Sequence, residues 1–183
     1  MGKFDAYNIP LKTLELGKSE YEFHLDNAFF ALIGEEEIQK GDLKAVVTVE
    51  KSGKESRLQF TITGKVVVTC NRCLEEMDQP ISSSSSLIVR FGKEFKDDGD
   101  DVVIVPEDPG SVNVSWFLYE FTVLAIPVKH VHPYGLCNKE MSSKLSEHLV
   151  EDAPEDETSY QEDGMSDPRW NALKNLRNED SMD

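Results

Sequence analysis

The chain has 183 residues, 35 of them acidic and 19 basic, for a formal net charge of −16. A field of that sign repels phosphate, which excludes general nucleic-acid coating and favours basic partners, of which ribosomal proteins are abundant examples. No run approaches ~20 apolar residues, so no membrane span is expected, and Met1–Tyr7 lacks the apolar core of a secretory signal.

Ile9 to Leu16 reads as a first strand-like piece closed by a turn at Gly17, and Tyr21–Leu25 alternates like a half-buried strand. Asn27 is placed to cap a short apolar helix over 28–33 that stops near Gly41. Leu43–Val49 and Leu58–Ile62 alternate again, joined by a hairpin turn at Ser52-Gly53-Lys54, and Thr63-Gly64-Lys65 reads as a second hairpin. Val66–Thr69 then runs into Cys70-Asn71-Arg72-Cys73, and Leu74–Met77 has room for one helical turn. Pro80 opens a segment in which Ile81, five serines and Leu87–Phe91 read as one polar-faced strand. Residues 97–101 form an acidic turn without calcium-loop spacing, and Val102–Val105 is a short strand. Asn113 or Ser115 can cap a helix over 115–126 whose apolar residues surround nearly its whole circumference, which implies burial; Pro127 ends it.

The expected fold is therefore α+β: an antiparallel meander over residues 7–105 with the potential for barrel-like closure, one buried helix, a Cys/His knuckle and a C-terminal tail helix. Residues 1–146 form the core domain. Residues 147–166 read as an acidic, disordered linker, since 147–163 hold eight acidic residues and no Lys or Arg. Residues 167–183 read as the tail helix, opened by Asp167 at the cap and Pro168 at the first helical position. The charge follows this division: residues 147–183 carry twelve acidic and three basic side chains.

Three cysteines, an odd number, argue against a disulfide framework and for a reducing, cytoplasmic setting. Cys70 and Cys73 have the spacing of a metal knuckle, and His130-Val131-His132 with Cys137 supplies further donors downstream. Cys70, Cys73, Cys137 and one histidine, His132 being nearer the usual ligand spacing than His130, would complete a tetrahedral zinc site. The other reading is that the cysteines pack as small apolar side chains at a strand end. A thiol–disulfide redox role for Cys70 and Cys73 is the alternative function. It needs a helix start beneath the first thiolate, and Leu74-Glu75-Glu76 places negative charge where it should raise the cysteine pKa values. No phosphate loop, nucleophile elbow or paired catalytic motif is present, so neither catalytic residues nor a small-molecule substrate is expected.

The valine-rich strand into Cys70-Asn-Arg72-Cys73-Leu74-Glu75, the apolar helix carrying Glu120 and ending Ala125-Ile126-Pro127-Val128, and the terminal Asp167-Pro168-Arg169 helix stand in a distinctive order. That order resembles the YceD family, the large ribosomal RNA subunit accumulation proteins of bacteria and plastids. The resemblance implies a cytosolic, non-catalytic role in 23S rRNA accumulation and large-subunit assembly, acting on a ribosomal protein or an early particle and touching 23S rRNA directly or through that protein. Many relatives carry a second cysteine pair where this chain has His130, His132 and Cys137. Candidate binding residues are Arg72, Glu120, Asp167, Arg169 and Trp170. Arg72 either reaches a partner or phosphate, or pairs with Glu75 or Glu120 to brace the fold; the tail helix docks either on the core or on a partner.

Overall fold

Alternation sets the centre of the molecule. From residue 40 to 69 apolar side chains recur at every second position, so Leu43, Ala45, Val47 and Val49 face the same way as Leu58, Phe60 and Ile62 and are buried with them. A computed structural model describes residues 4–97, 99 and 101–148. After a 3-10 turn at Asp5–Tyr7 the chain forms β1 (Asn8–Ile9), β2 (Gly17–Leu25), α1 (Asn27–Ile33), β3 (Lys40–Ser52), β4 (Glu55–Thr69) and β5 (Glu76–Gly92). Then come β6 (Lys96–Asp97), β7 (Val102–Pro106), β8 (Val112–Asn113), α2 (Ser115–Leu124) and α3 (Lys139–His148).

The main sheet has the order β2-β3-β4-β5-β7-β6, and β1 pairs with β8 in a separate two-stranded ribbon. The α+β class and the hairpin at Gly53 agree with the sequence reading, as does the serine run, whose Ser82–Ser86 pair with Gln59–Thr63 as ordinary strand. Two features differ. The sheet is open with edges at β2 and β6, because β1 pairs with β8 instead of closing the sheet. It is also mixed, because β6 occupies the edge and β7 inserts between it and β5, parallel to β5 from Ile88↔Val102 to Gly92↔Pro106.

The expected second hairpin is absent. β4 runs through Gly64 without reversing, with Asp42↔Lys65 and Leu43↔Gly64 in register. Gly64 holds φ at +145°, and a Cβ there would be driven into the carbonyl oxygen of Asp42 and the Cα of Leu43. Its glycine serves close strand approach, not a turn. Gly64→Ala should therefore destabilise the protein by roughly 2–4 kcal/mol, read as a lower denaturant midpoint at unchanged m-value.

α1 and α2 cover one face of the sheet. α1 is capped by Asp26, whose Oδ1 accepts the Phe29 N–H at 3.0 Å, and not by Asn27. Asn27 is one residue too late for that role, and its Oδ1 accepts the Gly41 N–H at 2.9 Å, pinning α1 to the start of β3. Gly34 closes α1 in the left-handed conformation. Phe29 and Phe30 bury beneath it, with Phe30 edge-on to Tyr119 of α2 and Phe60 of β4 edge-on to Phe121.

α2 is buried on one side only. Leu118, Tyr119 and Thr122 face the sheet, while Trp116 and Leu124 are 51% and 73% exposed. A ten-residue helix lying across a sheet can cover one flank, so an apolar circumference does not here mean full burial. The first strand-like stretch shortens to Asn8–Ile9, and no helical turn forms after the knuckle: the turn lies at 71–73, residues 74–75 are irregular, and β5 starts at Glu76. α3 has no buried residue and runs through His148, past the expected start of the linker at 147. The rest of that linker and the tail helix, with Asp167, Arg169 and Trp170, lie outside the described residues. Among the described residues no helix is long and apolar enough to cross a membrane.

Candidate metal centre

The knuckle sits where β4 hands over to β5. Leu74 N–H donates to the Cys70 carbonyl at 3.0 Å and Cys70 N–H donates to the Glu75 carbonyl at 2.8 Å, so residues 70–75 close on themselves. Leu74 takes φ = 61° to complete that closure. Both cysteine side chains turn inward and are buried, while Arg72 and Leu74 between and beside them point outward.

The chain after α2 returns to this loop. Asn71 clamps it twice: its N–H donates to the His130 carbonyl at 2.9 Å, and its Oδ1 accepts the His130 N–H at 2.7 Å. Two residues later the His132 N–H donates to Cys70 Sγ at 3.4 Å, and His132 Nδ1 lies 3.3 Å from Cys73 Sγ. Asn138 Nδ2 donates to Glu75 Oε1 at 2.6 Å and so holds the Cys137 segment against the same loop. The outcome is a cluster of Cys70, Cys73, His132 and Cys137 whose ligand atoms all lie within 4.8 Å of one another. His130 is outside it, its Nδ1 donating to the Pro127 carbonyl at 2.9 Å.

The electrostatics of the four groups are linked. For Cys70, burial opposes ionisation, but N–H groups of Cys73, His132 and Arg72 converge on its sulfur and hold the thiol down to about 5 from the usual 9.0. Cys73 is also lowered, first by the Glu75 N–H and further by that of Asn138. His132 is raised by its contact with Cys70 and then with Cys73, whereas burial and the two neighbouring sulfurs raise Cys137. The expectation that Glu75 and Glu76 raise the pair is overturned, because backbone N–H groups are aimed at the sulfurs while the two carboxylates are engaged elsewhere, Glu75 by Asn138 and Glu76 by Lys40.

A pH dependence follows. The folded state lowers the Cys70 pKa, so stability from its ionisation is fully present above the unfolded value near 9.0 and is lost as pH falls toward about 5. Metal-free protein should show thiolate absorbance that disappears near pH 5, with its denaturation midpoint falling over the same range. A first thiolate appearing only near 9.0 would contradict this assignment.

Three sulfurs and one imidazole brought this close together could hold a metal ion, and their chemistry is of the kind that zinc takes. Of the candidates for partner binding, Arg72 is exposed and has no ion-pair partner among the described residues, so it pairs with neither Glu75 nor Glu120. Glu120 is exposed on the outer flank of α2. Asn71, Glu75 and Asn138 were missed in the sequence; Asn138 gave a signal, standing three residues before Met141, whose N–H its Oδ1 caps at 3.1 Å.

The family described as large ribosomal RNA subunit accumulation protein YceD matches residues 58–177, from within β4 through the knuckle, α2 and α3. The chain belongs to that family. The family's name ties the chain to accumulation of the large ribosomal RNA subunit. No curated protein and no solved structure matches the chain.

Proposed function

We propose that this YceD-family chain is a non-catalytic, cytoplasmic assembly factor for the large ribosomal subunit. It binds a basic ribosomal protein, or an early 23S rRNA particle through one. The observation that carries this reading is the family match over residues 58–177. The charge supports the protein-first version, since a −16 chain is drawn to cations and repelled by bare phosphate.

In this reading Cys70, Cys73, His132 and Cys137 hold a zinc ion that staples the segment after α2 to the β4–β5 turn. The metal's chemistry there is structural, supplying folding energy with no bond made or broken. Asn71, Glu75 and Asn138 orient the two ends of the staple by their hydrogen bonds. The redox alternative lacks the helix it requires, because Cys70 is followed by a closed turn and not by a helix start.

Sedimentation of extracts from depleted cells tests the role. The proposal predicts a deficit of large subunits relative to small ones, restored by the wild-type chain; normal large-subunit levels on depletion would overturn it.

A further inference from the structure

An open groove of about 490 Å³ runs beside the knuckle. Its floor is apolar, formed by Val68 of β4 with Val123, Ile126 and Pro127 at the end of α2, and Leu74 and Val128 stand at its lip. These last two are exposed aliphatic side chains, Leu74 at 67% and Val128 at 100%. Leu74 is also held in the left-handed region that β-carbon sterics disfavour, so its backbone closes the turn while its side chain is presented to solvent. A smaller hollow of about 140 Å³, sharing Val68 and Thr69, continues past the groove toward Lys40 and Glu76.

One wall of both hollows is acidic. Glu36 and Glu37 line each of them, with Glu35 adjacent in sequence, and none of the three has a basic partner among the described residues. Elsewhere on the sheet Glu22, Glu55, Glu76 and Asp78 each face a Lys or Arg at 2.6–2.9 Å, whereas Glu20 and Glu50 have no such partner among the described residues. Tyr119 beside this wall is pushed up to about 12, first by burial and then by Glu37 and Glu35. The one cation lining the smaller hollow, Lys40, is engaged by both oxygens of Glu76.

We infer that this groove is the docking site for an extended protein segment that interleaves basic and aliphatic side chains. The aliphatic side chains would fill the Val68–Ile126 floor and cover Leu74 and Val128, and the basic ones would meet Glu36 and Glu37. The inference deepens the assembly-factor reading, by naming the face that takes the partner. Carboxylates along the wall disfavour RNA as the occupant, since phosphate would meet like charge and no Lys or Arg is among the residues lining the groove; Arg72 and Lys129, next to Asn71 and Val128, lie outside that lining.

The test uses full-length, zinc-loaded protein and fluorescence anisotropy with a labelled peptide of Arg-Leu-Ser repeats. Controls are Glu-Leu-Ser and Arg-Ser-Ser repeats and a single-stranded RNA of equal length. Binding of the Arg-Leu-Ser peptide should weaken about tenfold in Val128→Ser and in Leu74→Gly. It should weaken similarly in the double variant Glu36→Gln, Glu37→Gln, and remain unchanged in Trp116→Ser on the other flank of α2. Leu74→Gly separates docking from folding, since glycine relieves the positive φ and leaves the fold intact or more stable.

Wild-type affinity in the groove variants, equal affinity for the leucine-free peptide, loss in Trp116→Ser, or tighter binding of the RNA would each overturn the inference. Co-purification from cells keeps the two readings apart. If wild-type and groove variants retain ribosomal proteins equally, the groove is wrong and the function stands; if the wild type retains none, the function reading fails, and the peptide result alone decides the groove.

Discussion

Protein purified without chelator should retain stoichiometric zinc, and Cys137→Ser should lose it. This result is expected from a closed four-donor set in which each ligand carries a share of a large binding energy. Structural zinc sites are worth about 10–16 kcal/mol, so one donor accounts for roughly 3 kcal/mol, or about two orders of magnitude in affinity. Cys137 is the cleanest position to change, because it is only partly buried, whereas Cys70 is fully enclosed and its loss would confound metal binding with packing. His132→Ala should behave like Cys137→Ser, and His130→Ala should retain the metal, since His130 is occupied with Pro127. Chelation should lower the melting temperature and expose residues 128–138 to amide exchange. Apart from the metal, that stretch is tied to the β4–β5 turn chiefly through the Asn71–His130 pair, the His132 N–H bond to Cys70 and the Asn138–Glu75 bond. Metal analysis finding no zinc in the wild type, or equal zinc in Cys137→Ser, would reduce the cysteines to packing residues.

Phe30→Ala should be the most damaging single core substitution outside the knuckle. Phe30 is 1% exposed and packs edge-on to Phe29 and Tyr119, joining α1 to α2 above the sheet. Its ring also lies over Gly41, where a Cβ would meet Cε2 at 2.6 Å, so the strand passes directly beneath it. Truncation leaves a cavity that a glycine-lined floor cannot refill, at a cost of roughly 3–5 kcal/mol. Against a total of about 5–15 kcal/mol for a typical domain, that brings the protein near its unfolding threshold. A chemical-denaturation shift below about 1.5 kcal/mol would show that α1 is not anchored through this ring.

The central strands were legible in the sequence because period-two alternation from 43 to 62 has one physical meaning, a sheet with one covered face. Gly64 was misread for a reason equally physical. A turn and a close strand contact both demand a residue without a side chain, and only the partner strand, here Asp42 and Leu43, tells them apart. α2 was misjudged because burial depends on what lies opposite: nothing in Trp116 or Leu124 discloses that no neighbour covers them. α3 escaped notice although Met141 and Leu145 stand one turn apart, because two apolar residues in ten make too narrow a stripe to announce a helix that the fold does not bury.

The Cys/His cluster was more readable than the fold around it. Ligand chemistry restricts the candidates to a few residue types, and only four histidines and three cysteines are present. The choice between His130 and His132 turned on Asn71 and Pro127, whose hydrogen bonds no spacing rule contains. Likewise the direction of the Cys70 shift depended on which N–H groups the turn aims at sulfur, a property of conformation and not of nearby charge in the sequence.

The most direct measurement for the assembly-factor account is mass spectrometry of what the full-length, tagged chain carries from its own cells at low ionic strength. The account predicts large-subunit ribosomal proteins, retained at low salt and shed as salt rises, with 23S rRNA present only when those proteins are. A chain that emerges bare of large-subunit components under those conditions would contradict it.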